Sequence, residues 1–160
     1  MKYYLLNIPR LPGLLFIILS TLFATTANSA EPEWQIWSDR TLAQAKQQNK
    51  LLLIDLTAEW CTFCKKMDQT TYQDKAVLDE IKQHYIAIKA DEAEYPELAK
   101  RFSKVGRPGT IILDSNGNEL LTKSGYLKPQ WMLWMLQAEA QQASAEARQN
   151  KTPSKESNDG

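Results

Sequence analysis

Apolar and polar positions alternate along this chain in blocks that predict helices and strands in turn. Ser38 or Asp39 can cap a helix over roughly residues 40–48, with Leu42 and Ala45 on one face. Asn49-Lys50 closes it, and residues 51–56 are apolar almost throughout, the pattern of a strand buried on both faces. A second helix is predicted from near Cys61 to about Gln69, and Asp74 can cap a third through Ile81. Tyr85 to Lys89 reads as a strand, and Pro96 suits the start of a short helix ending near Phe102. Thr110 to Leu113 and Glu119 to Lys123 are strands flanking a Ser115-Asn116-Gly117-Asn118 turn, a hairpin signature. Pro129 to Ala147 is helical in pattern. Glu31 to Ser38, with Trp34 and Trp37, is expected to add a short edge strand. This succession predicts an α/β fold, a mixed central sheet flanked by helices.

Two ends fall outside that pattern. Residues 1–30 carry Lys2 and Arg10, then an apolar run over residues 14–24, then the small residues Ala27-Asn28-Ser29-Ala30. That is the layout of a secretory signal peptide, with cleavage after Ala27, Ser29 or Ala30; an uncleaved membrane anchor is the alternative. Residues 148–160 form a polar tail expected to be disordered. Residues 31–147 then make one folded domain, in keeping with a 160-residue chain.

Charge excludes one class of partner. Lysine and arginine number 19 and aspartate and glutamate 19, interspersed and without a basic stripe, so nucleic acid is not an expected partner. Loss of residues 1–30 removes two cations and no acid, leaving a net charge of −2.

The chemistry concentrates in Asp55 to Lys66, DLTAEWCTFCKK, where an apolar strand delivers Cys61 and Cys64 to the start of a helix. They are the only cysteines in the chain. A Cys-x-x-Cys pair in that setting points to a dithiol redox site. The attacking species is a thiolate, and lowering a cysteine pKa from about 8.5 to near 7 takes roughly 2 kcal/mol of preferential stabilisation of the anion. A helix N-terminus supplies roughly 0.3–2 kcal/mol, and Lys65 and backbone N–H groups are candidates for the rest. Cys61, opening the helix, is the expected nucleophile. Cys64, one turn inside, is expected to be shielded and to resolve the mixed disulfide. As a staple the pair would close a four-residue loop worth only about 2 kcal/mol. A structural zinc site needs about four ligands, and only His84 is an obvious addition. Copper handling by the two thiolates remains the competing class.

Residues 51–136 resemble the thioredoxin superfamily. The likeness is carried by the acid-bearing apolar strand, by Ala58-Glu59-Trp60-Cys61-x-x-Cys64-Lys65, and by Gly106-x-Pro108 ahead of a strand and hairpin. Within it the chain resembles exported thioredoxin-like proteins of the DsbD C-terminal-domain type. The resemblance implies a thioredoxin fold and a protein thiol:disulfide oxidoreductase that works with no bound cofactor. Asp55, six residues before Cys61, corresponds to the buried acid of thioredoxins, and a carboxyl in an apolar strand should have a raised pKa and exchange a proton with Cys64. Thioredoxins pair that acid with a lysine on the next strand; Lys89 fits only if a small insertion precedes it, so that role is not assigned. Pro108 matches the family's cis-proline, and with Trp60 and Arg107 it forms the expected substrate-binding set. Arg107 stands where relatives carry an apolar residue or threonine, and Gly109 stands where threonine is common; Arg107 is a candidate selector of acidic or polar partners. Thr62-Phe63 lacks the histidine of strongly oxidising relatives, which favours reduction over disulfide formation. A periplasmic reductase needs electrons from a membrane donor of the DsbD type, since that compartment is kept oxidising. Trp131, Trp134 and Met135 are expected to pack on the sheet, and Tyr72, Tyr95 and Tyr126 are expected to be packing residues.

Overall fold

The computed structural model describes residues 31–151. The expected signal peptide lies outside them, as does the tail beyond 151. The elements follow one another as α1 (Asp39–Gln48), β1 (Leu51–Thr57), α2 (Thr62–Thr70), a 3-10 turn (Thr71–Gln73), α3 (Lys75–His84), β2 (Tyr85–Asp91), α4 (Pro96–Arg101), β3 (Gly109–Leu113), β4 (Glu119–Ser124) and α5 (Pro129–Lys151). Local chemistry sets the helix ends. The Ser38 hydroxyl accepts the Thr41 N–H at 3.2 Å, and Asn49 closes α1 in the left-handed region at φ 52°. Asp74 accepts from the N–H groups of Ala76 and Val77 at the start of α3. In the hairpin turn, Gly117 takes φ +84°, a conformation that favours glycine.

The four strands form one sheet in the order β2-β1-β3-β4. β1 runs parallel to β2 and antiparallel to β3, and β3 is antiparallel to β4. Side-chain alternation along β1 divides the core in two. Leu52, Ile54 and Leu56 pack with Ala45 of α1 and with Leu98 and Phe102 at α4. Leu51 and Leu53 face Met67 of α2, Val77 and Ile81 of α3, and Met132, Leu136 and Ala140 of α5. Helices therefore cover both faces.

Three features differ from the sequence reading. Glu31 to Ser38 is not a strand: it meets the sheet through one parallel bridge, Gln35 beside Ile88, with Gln35 N–H donating to Ala87 C=O at 2.8 Å. Its two indoles go to opposite faces, Trp37 toward the α1 and α4 side and Trp34 toward the other. The last helix continues past Ala147 to Lys151, so the first residues of the expected tail are helical. Trp131 and Trp134 do not pack on the sheet; each is 60% exposed, while Met132, Leu136 and Ala140, spaced four apart, form the buried stripe. Met135 is only partly buried.

The tyrosines divide by depth. Tyr72 is buried, and Tyr95 and Tyr126 pack partly buried against the two core clusters. His84 sits at the C-terminal end of α3 with Nε2 3.8 Å from Glu80.

Candidate active site

β1 ends at Thr57, and four residues later Cys61 occupies the N-cap of α2. Its Sγ accepts the Cys64 N–H at 3.1 Å, so one of the unsatisfied donors of the first turn points at this sulfur. Any negative charge on Cys61 is stabilised there by that N–H and by the helix dipole. Cys61 and Cys64 form a disulfide, with Cα atoms 5.3 Å apart. In this oxidised state both residues are only 2% exposed, so the expected contrast between an accessible Cys61 and a shielded Cys64 is not present. What separates them is position: Cys61 caps the helix, and Cys64 lies on its buried side with Met67. The exposed apolar groups around the pair are Trp60 and Phe63. Phe63 lies against Tyr126, ring centroids 6.4 Å apart, and the Lys66 ammonium is 4.8 Å from the Tyr126 ring centroid.

Asp55 shares the face of β1 that carries Leu51 and Leu53, the side covered by α2. Its register partners are Lys89 on β2 and Thr110 on β3, so the three form a polar row across an otherwise apolar sheet. Asp55 is 1% exposed, and neither carboxylate oxygen meets hydrogen-bond geometry with another described group. Lys89 Nζ, 3.3 Å from Oδ2, is its counter-charge. Burial pushes the Asp55 pKa up from 3.8 to about 6, against the opposing pull of Lys89 and with a smaller push from Asp68. Lys89 is shared: it also pairs with Asp68 of α2, and its ammonium lies 4.9 Å from the Trp34 ring centroid. Tyr72, beside Asp55 on the same face, has its pKa raised by burial and then by the neighbouring carboxylates. Lys89 and Asp68 are the members of this cluster that the sequence reading did not assign.

The Arg107–Pro108 peptide bond is cis. The Pro108 carbonyl accepts the Gly125 N–H at 2.8 Å, and Ser124 Oγ accepts the Gly106 N–H at 2.8 Å, which hold this loop against the end of β4. Gly109 has a steric reason. A Cβ there would lie 2.9 Å from both the Gly106 carbonyl oxygen and Val105 Cγ1.

Arg107 is not a free surface charge. Its side chain is 8% exposed, Nη1 donates to the Val105 carbonyl at 2.6 Å, and Nη2 lies 3.1 Å from Glu92 Oε2. The other Glu92 oxygen accepts the Trp60 Nε1–H at 3.0 Å. The fold thus gathers Trp60, Glu92 and Arg107, and no local pattern around Glu92 marks it for this role.

Among the described residues there is no group of three or more His, Cys, Asp or Glu that could hold a metal ion, and no helix is long and apolar enough to cross a membrane. The arrangement has the parts of a dithiol–disulfide couple: a sulfur at a helix N-terminus, a second sulfur one turn inside, and a buried carboxyl whose pKa lies near neutrality.

Comparison with known proteins agrees on fold and family. The solution structure of a thioredoxin from Thermus thermophilus superposes with a TM-score of 0.64 at 18% identity, covering 78% of this chain and 98% of that one. The reduced-form C-terminal domain of DsbD from Neisseria meningitidis gives a TM-score of 0.52 at 20% identity, covering 61% and 89%. In sequence, the thiol:disulfide interchange protein DsbD of Yersinia pestis (strain Pestoides F) is 35% identical over 82 residues, 49% of this chain and 13% of that protein. The chain therefore spans only a small part of that relative's length. A family model, "Thioredox_DsbH: Protein of unknown function, DUF255", matches residues 20–117, more than half of the chain. The fold is that of thioredoxin, and the chain belongs to the Thioredox_DsbH family.

Proposed function

We propose that this chain is an exported, periplasmic reductase of protein disulfides, cycling between the Cys61–Cys64 dithiol and disulfide with no bound cofactor. The observation that carries the reading is the Cys61 sulfur at the N-cap of α2, accepting the Cys64 N–H. An anion at that sulfur is stabilised without a dedicated base.

The reduced protein reacts in two displacements. The Cys61 thiolate attacks one sulfur of a client disulfide, forming a mixed disulfide and expelling the other client sulfur as thiolate. Cys64 then loses its proton to the Asp55 carboxylate and attacks Cys61 Sγ. The second client thiolate leaves, and the chain is left with the Cys61–Cys64 bond. Two electrons have moved to the client, so each cycle requires a reduced dithiol donor, which the DsbD likeness suggests is a membrane protein. A carboxyl with a pKa of about 6 suits this proton transfer, because it is mostly ionised at pH 7 yet basic enough to accept a proton. Trp60 is the exposed side chain of the client-facing rim; Pro108 is buried and Arg107 is held inward, and the chain around their cis bond offers its backbone to an extended client segment. The signal-peptide layout of residues 1–30 supports export.

Direction is tested by equilibrating the protein with glutathione buffers and counting free thiols by alkylation and mass. A reductase stays oxidised in all but strongly reducing mixtures. A dithiol that remains reduced beside mostly oxidised glutathione makes the protein an oxidant instead.

A further inference from the structure

We infer that Glu92 is a positioning residue that holds two segments flanking the proposed client-docking surface, its walls, at a fixed separation. The inference rests on the client-reducing reading above. One wall is the Trp60–Cys61 turn, and the other is the loop carrying Arg107 and Pro108. They are far apart in sequence, and a single carboxylate joins them: Oε1 accepts the Trp60 indole N–H at 3.0 Å, and Oε2 lies 3.1 Å from Arg107 Nη2. Glu92 is itself anchored where β1 ends, its N–H donating to the Thr57 carbonyl at 3.0 Å.

The charges explain why this link persists. The Arg107 side chain is 8% exposed, and a guanidinium so buried needs a paired anion. Glu92 supplies it while remaining one-third exposed at the rim. Arg107 is therefore committed inward. It is unavailable as a hook for acidic clients, and its work is to hold the backbone ahead of Pro108 in place. Trp60, 70% exposed, presents a large apolar surface whose orientation is set by its one hydrogen-bonding group. Without Glu92 both walls gain freedom that a docking client must remove, which weakens binding. The sulfur chemistry is held separately by the first turn of α2.

The test follows reduction of two disulfides, insulin and bis(2-hydroxyethyl) disulfide, with the dithiol regenerated by excess dithiothreitol. Glu92→Ala is expected to raise KM for insulin fivefold or more with kcat held within twofold. Its kcat/KM for the small disulfide, which is too small to touch both walls, should fall by less than twofold. Glu92→Gln keeps an acceptor for Trp60 but loses the ion pair, and its KM should lie between the two. Arg107→Ala should also raise KM, and the Glu92→Ala, Arg107→Ala pair should raise it no further than the larger single effect. The pair also lacks the orphaned cation, so it serves should Glu92→Ala fold poorly. Unchanged insulin KM, parallel loss on both disulfides, or single effects that multiply in the pair each overturn the inference. A wild-type chain that reduces neither disulfide overturns the reductase reading and the inference with it.

Discussion

Asp55→Asn gives the most direct measure of how the site is built. Asp55 is 1% exposed, and burial raises its pKa from 3.8 to about 6. The sign follows from linkage. Below about pH 3 the carboxyl is protonated in both folded and unfolded chains and contributes no pH-dependent term. As pH rises toward 6 the unfolded carboxyl ionises while the folded one resists, so the folded state loses stability relative to the unfolded one. Above about pH 7 the loss is complete. A shift of roughly two units corresponds to about 3 kcal/mol at about 1.4 kcal/mol per unit.

Asparagine occupies the same volume and does not titrate. The stability of Asp55→Asn minus that of wild type should therefore rise between pH 3 and pH 7 by about 3 kcal/mol, about 10 °C in Tm for a domain of this size. The difference removes the contributions of the other carboxylates. Its absolute value at pH 3 reports how well the amide fits beside Lys89, so only the slope tests the raised pKa. Urea unfolding of the oxidised proteins, followed by far-UV circular dichroism at half-unit steps, measures it. A flat difference would show that the Lys89 ammonium, 3.3 Å away, cancels the burial penalty, and the raised pKa would be refuted. On the proposed mechanism the same variant should resolve mixed disulfides more slowly near pH 7, because the carboxylate proposed to take the Cys64 proton is gone; unchanged rates would remove Asp55 from that role.

Cys64→Ser should accumulate covalent complexes that run as high-mass bands on non-reducing gels and vanish with reductant, whereas Cys61→Ser should trap almost nothing; the reverse pattern reverses the roles, and stoichiometric copper or zinc on wild type with no trapping favours metal handling. On α5, Met132→Ala should cost about 2–5 kcal/mol in urea unfolding, because the side chain is fully buried. Trp131→Ala and Trp134→Ala, at 60% exposure, should each cost less than about 1 kcal/mol, and equal losses at all three positions would contradict the placement of the buried stripe.

The sequence was legible where a local rule decided the outcome. Ser38 and Asp74 cap the helices they precede, Asn116-Gly117 turns the hairpin, and Cys61 opens α2, each by chemistry confined to a few neighbouring residues. Residues 51–56 are apolar in a way that only a strand covered on both sides accommodates. The last helix was harder. Trp131, Met132, Leu133, Trp134, Met135 and Leu136 are all apolar, so a helical period can be drawn through either the tryptophans or the Met132–Leu136 pair. The helical spacing of Trp131, Trp134 and Met135 favoured the indoles. The sheet instead receives Met132 and Leu136, and Tyr85 Oη donates to the Leu136 carbonyl at 2.6 Å.

Lys89 shows why spacing along the chain is a poor guide to distance across a sheet. Between Asp55 and Lys89 lie α2, the 3-10 turn and α3, and any added turn of helix lengthens that interval without moving either strand. What brings the two residues together is the parallel register of β1 and β2, starting at Leu51 beside Tyr85 and carried in step to Asp55 beside Lys89. Hydrophobic pairing sets that register, because a slip of one residue would turn Ile86 and Ile88 away from the α1 and α4 side of the core. The same slip would carry Lys89 to the opposite face and leave Asp55 buried without its cation. The apolar residues of the two strands therefore place the charged pair, and the buried acid owes its counter-charge to a register that hydrophobic packing sets.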